Sequence, residues 1–83
     1  MRALQDLIPE NQCFGCGPGN PHGLRIKSYP EGEEVVCRFQ PSPEHSAGPP
    51  DVLYGGTIAS IIDCNSGFTA MAHAYRDEGR PFG

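Results

Sequence analysis

Basic charge is scarce in this chain. Its 83 residues carry 6 Lys and Arg against 10 Asp and Glu, a formal net charge of −4. A nucleic-acid or anionic-membrane surface wants a basic patch, so the balance argues against both partners. Long apolar runs are missing too, and none approaches membrane-spanning length. Met1–Gln12 has one Arg, a proline and no long apolar segment, so it does not read as a secretory signal. These absences lead to the expectation of a soluble, cytoplasmic protein. No internal repeat is visible. A chain this short makes one domain at most, with a modest core that needs a partner or staples.

A second cysteine pair is also lacking. Four cysteines in a short chain suggest a disulfide framework only in an extracellular setting, so reduced thiols are expected. Cys13 and Cys16 form a single C-x-x-C, whereas a zinc site wants four ligands, usually from two such pairs. His22, Cys37 and His45 could complete one, but their spacing fits no standard pattern. No strand–CxxC–helix context supports redox chemistry. The expectation is therefore no metal and no cofactor, with a small zinc module on Cys13 and Cys16 as the weakest reading. Cys64 reads as a small core residue. His45 and His73 have no acid or nucleophile at telling spacing and read as surface or core positions.

Glycine and proline, by contrast, are abundant, at 11 and 9 residues. They concentrate in Gly15–Gly23 and Pro41–Gly56, loops with required turns. The chain divides into an N-terminal segment and loop (1–23), a β-hairpin (24–40), a loop (41–54), a helix (55–76) and a linker start (77–83). Ala3–Ile8 fits a helical turn or two, stopped by Pro9. Leu24–Tyr29 and Glu34–Gln40 alternate apolar and polar residues, with a turn at Pro30-Glu31-Gly32. On the second strand Val35, Cys37 and Phe39 share one face.

Leu53–Ala74, LYGGTIASIIDCNSGFTAMAHA, holds the chemistry. Gly55 and Gly56 permit a sharp turn into a helix that is small or apolar on nearly every face, which reads as a buried helix. A hairpin cannot wrap such a helix, so the expected architecture is the first part of a larger α+β domain. More strands would follow Gly83, or a partner chain would supply them.

Asp63 sits in the middle of that run. A buried carboxylate needs a partner or a task. Ser60, Ser66, Tyr54 or backbone donors could satisfy it. Alternatively, its small neighbours Ala59, Ser60, Ser66 and Gly67 leave room for a ligand. Gly55-Gly56 at the helix start offers free N–H groups and the positive dipole end to a developing oxyanion, though a Gly-Gly pair can also serve only the turn. Gly56 and Asp63 share a face but lie seven residues apart, a rise of about 10–11 Å. One carbonyl cannot touch both within one chain, since productive contact needs about 3 Å. If both act on one substrate, a second copy supplies Asp63, and the geometry predicts a dimer with composite sites.

These residues carry a resemblance. Tyr54-Gly55-Gly56, the small-apolar stretch, Asp63 and Gly67 resemble the central-helix signature of the hotdog-fold acyl-CoA thioesterases, of the phenylacetic-acid type. That pattern is His-Gly-Gly followed by an Asp or Glu at this distance. CFGCGPGNPHGL resembles the N-terminal segment of many members. The resemblance covers roughly Gln12 to Tyr75. It implies an antiparallel sheet wrapped around a long central helix, here cut off after the helix, in a homodimer or homotetramer. It implies hydrolysis of an acyl-CoA-type thioester, with acyl-CoA as substrate. Asp63 would be the base or nucleophile, and the Gly56 N–H of the other subunit would polarise the carbonyl. Tyr54, Gly55, Ser66 and Gly67 would line the substrate site. Tyr54 stands where the family usually has His, and the family's last strands are absent. Both departures motivate a second expectation: a non-catalytic acyl-binding or interaction domain of the same architecture.

Overall fold

The computed structural model describes residues 2–83. A 3-10 turn at Leu4–Leu7 leads into a long loop, then strands β1 (Ser28–Glu31) and β2 (Glu34–Cys37). A second 3-10 turn, Pro43–His45, precedes helix α1 (Gly55–Asp77). The architecture is α+β: a two-stranded antiparallel sheet and one long helix. No helix among the described residues is long and apolar enough to cross a membrane.

The strands pair from Ser28 with Cys37 to Glu31 with Glu34. The turn is therefore Gly32-Glu33, two residues later than Pro30-Glu31-Gly32. Gly32 takes φ +65, and glycine at the first position of a two-residue hairpin loop supplies the conformation that L side chains resist. Pro30 fits within β1 because a two-stranded sheet has only edges, where a missing N–H is tolerated. Leu24–Lys27 is not a strand of this sheet. It follows the glycine-rich loop instead, with Leu24 N–H donating to Phe14 O (2.8 Å) and Ile26 N–H to Gly15 O (3.0 Å).

The sheet, the first 3-10 turn and one face of α1 enclose a small core. Leu4, Cys16, Ile26 and Phe68 are buried there, with Val35, Cys37 and Phe39 packed around them from the hairpin face that the alternation marks. Phe82 returns to the helix and meets Phe68 and Tyr75, ring centroids 5.9 and 5.2 Å apart. Asn65 ties α1 to the sheet by donating from Nδ2 to Val35 O (3.3 Å).

The expectation of a buried helix needs correction. Within α1 only Thr57 and Phe68 are buried. Ile58, Ala59, Ile62, Asp63, Ser66, Gly67, Ala70, Met71 and Ala74 form one exposed stripe. The physical reason is coverage: a hairpin of two four-residue strands packs against one side of a 23-residue helix and leaves the other open. Asp63 lies on the open side and is exposed.

Candidate functional site

Two grooves along α1 contain expected site residues. The first lies at its start. The Pro-rich loop closes on itself there through Ala47 N–H to Val52 O (2.7 Å) and Tyr54 N–H to His45 O (2.8 Å). Tyr54 then leads into the helix in an extended conformation, and its carbonyl accepts from Thr57 N–H (3.0 Å) and Ile58 N–H (3.4 Å). No side chain caps this end. The N–H groups of Gly55 and Gly56 precede the helix's own ladder. Phe14, Leu24, His45, Tyr54, Gly56 and Ser60 are among the residues lining a groove of about 390 Å³ here. The Tyr54 ring folds over Gly56 so closely that a Cβ there would collide with it. His45 is held by its own turn, with Nδ1 accepting from Ser42 N–H (3.0 Å).

The second groove, about 430 Å³, lies midway along the helix. Asp63, Cys64, Gly67, Phe68 and Met71 line one wall, and Ile8, Asn11, Cys13 and Cys16 the other. Asp63 forms no hydrogen bond or ion pair with the described residues. Ser60, one of its candidate partners, instead donates back to Gly56 O (2.8 Å). Of the other expected site residues, Gly55 and Ser66 are exposed on α1. Gly56 with Tyr54, and Asp63 with Gly67, thus fall in separate grooves of one chain.

Three thiols meet beside Asp63. The sulfurs of Cys13, Cys16 and Cys64 all lie within 4.8 Å of one another. Cys64 packs against the core, as a small core residue would, and it, rather than His22, Cys37 or His45, lies beside the C-x-x-C. No local spacing announces this, because Cys64 reaches the loop only through tertiary packing. The loop is built for the approach. A Cβ on Gly15 would meet the Cys64 sulfur at 2.6 Å, and Gly17 has no room for one against the backbone of Asn11 and Cys13. Asn11 braces both ends, accepting from Cys13 N–H at Oδ1 (3.0 Å) and donating from Nδ2 toward Cys16 Sγ (3.9 Å).

The thiols differ in acidity. The backbone N–H of Cys16, helped by that of Gly15, lowers the Cys13 pKa against a smaller opposing effect of burial. Burial raises Cys16, and raises Cys64 strongly, with the neighbouring sulfurs adding to the Cys64 shift. Cys37, away from the cluster, is raised by burial against a smaller lowering effect of the Lys27 backbone.

Comparison with protein-family models, curated proteins and solved structures returned no match.

Proposed function

We propose that the chain is the N-terminal and central-helix part of a hotdog-type thioesterase. It hydrolyses an acyl-CoA-type thioester at a site shared by two copies. The observation that carries this reading is the state of Asp63. It is an exposed carboxylate with no partner among the described residues, on a helix face of small side chains and beside an apolar groove. A carboxylate so placed can take a proton from water or attack a carbonyl directly. The second element is the uncapped start of α1, where the Gly56 N–H and the dipole favour an oxyanion. The separate grooves support a composite site, because along α1 the two groups stand about 10 Å apart. In the mechanism, Asp63 of one copy activates water against the thioester carbon. The Gly56 N–H of the other copy receives the oxyanion, and the thiolate leaves with a proton.

One observation favours a second reading. The Tyr54 ring covers Gly56, where the oxyanion would approach. A chain that keeps this arrangement would hold an acyl group without cleaving it.

Thiol release from a panel of acyl-CoAs tests both. Asp63→Asn is expected to lower the rate by about 10²–10⁴-fold, the usual worth of a positioned base. Equal rates in wild type and variant would remove Asp63 from the mechanism. Acyl-CoA binding without turnover in the wild type would establish the second reading instead.

A further inference from the structure

We propose that Cys13, Cys16 and Cys64 together hold one thiophilic divalent cation, zinc in type, which staples the N-terminal loop to α1. The sulfur geometry is the first ground. Four-coordinate zinc with bonds of about 2.3 Å sets its thiolates about 3.8 Å apart. Cys13 and Cys64 Sγ stand 3.9 Å apart, and no pair in the cluster exceeds 4.8 Å. That spacing is almost twice a disulfide bond of about 2.05 Å, and all three are free thiols.

The second ground is the support around the sulfurs. Gly17 N–H donates to Cys13 O (2.8 Å), closing the C-x-x-C loop. Asn11 steadies Cys16 from the other side. Gly15, lacking a Cβ, admits Cys64. Hydrogen bonds of this kind orient metal ligands.

The third ground is charge. Three thiolates in one place repel one another, and a dication turns that repulsion into attraction. All-sulfur donors select zinc and other thiophilic ions over magnesium or calcium. On binding, three thiol protons pass to solvent, three sulfur–metal bonds form, and the centre carries one net negative charge. The cluster lines an open groove, so water can complete the tetrahedron. Such a staple suits a short chain whose core is small. The proposal does not rest on the thioesterase reading.

The test uses the 83-residue chain, reduced and stripped with a chelator, then titrated with zinc or cobalt. One equivalent is expected to bind, with cobalt giving a thiolate charge-transfer band. Zinc is expected to shield three of the four thiols from a thiol-reactive dye, and chelator to expose them again. This readout is taken on the wild type, so it does not depend on any variant folding. Cys64→Ser is expected to weaken binding by more than the roughly 10–100-fold that losing a supporting hydrogen bond costs. Gly15→Ala, whose Cβ displaces the Cys64 sulfur, should weaken it as well, whereas Cys37→Ser should leave it unchanged. Failure to bind one equivalent, cobalt bound without a thiolate band, or four thiols reacting alike with and without zinc would overturn the proposal.

Discussion

At the scale of single residues, the buried polar pair is as informative as the carboxylate. Gln5 and Ser28 are both fully buried. Gln5 Nε2 donates to Ser28 Oγ (2.9 Å), and Ser28 N–H donates to Gln5 Oε1 (2.7 Å). This closed exchange fixes the first 3-10 turn to β1 across 23 residues of sequence. Gln5→Ala strands the Ser28 N–H and hydroxyl in the core. It should cost about 2–3 kcal/mol, read as a lower midpoint in urea unfolding, because each unsatisfied buried group costs about 1–3 kcal/mol. The nearby Lys27–Asp6 ion pair is partly exposed and contributes less. None of this was legible in the sequence. Gln5 stands in a short segment with no pattern, and a polar residue's burial depends on a partner that folding brings. Asp63 shows the reverse. Its position in an apolar run marks it out, but the same run predicts a burial that the exposed stripe corrects.

Individual elements were legible where local chemistry decides them. Helix α1 begins at the glycine pair and ends at Asp77, followed by Glu78 and by Gly79 at φ +69, a terminating glycine in the left-handed region. The second strand of the hairpin was legible as an alternating run, but the first starts only at Ser28, past most of the Leu24–Tyr29 alternation, and the turn was displaced with it. Proline and glycine both mark turns, and only the pairing register decides which one occupies the loop. Gly32 decides it here. Gly32→Ala should destabilise the chain by about 1–2 kcal/mol, the cost of a left-handed L residue. Gly48→Ala, at a glycine with open space and ordinary φ, should stay within about 0.5 kcal/mol. Equal midpoints for the two variants in thermal or urea unfolding would show that the turn does not depend on the Gly32 conformation. The cysteine loop marks the limit of local reading. C-x-x-C was visible, but its third sulfur comes from α1, 48 residues beyond Cys16, and spacing carries no trace of it.

The whole molecule is elongated because its helix outruns its sheet. The radius of gyration is 13.7 Å, against about 12 Å for a compact chain of this length. The open face of α1 exposes Ile58, Ile62 and Met71 to 46, 62 and 38 %. Apolar side chains among small residues suit close approach by another element. The composite site assigns one such approach to a second copy, with Gly56 and Asp63 meeting across it. The α+β class was legible from the elements. How far a sheet wraps the helix was not, since wrapping depends on strands outside these two. Subunit complementation tests the central claim most directly. Asp63→Asn and Gly56→Pro, the latter deleting the N–H while its ring pushes aside the Tyr54 side chain that lies over Gly56, should each be inactive alone. Mixed in equal amounts and allowed to exchange, they should recover about a quarter of wild-type thioester hydrolysis, the share of two-fold sites that random pairing leaves intact. No recovery from a mixture shown to form mixed dimers would contradict a site shared between two copies.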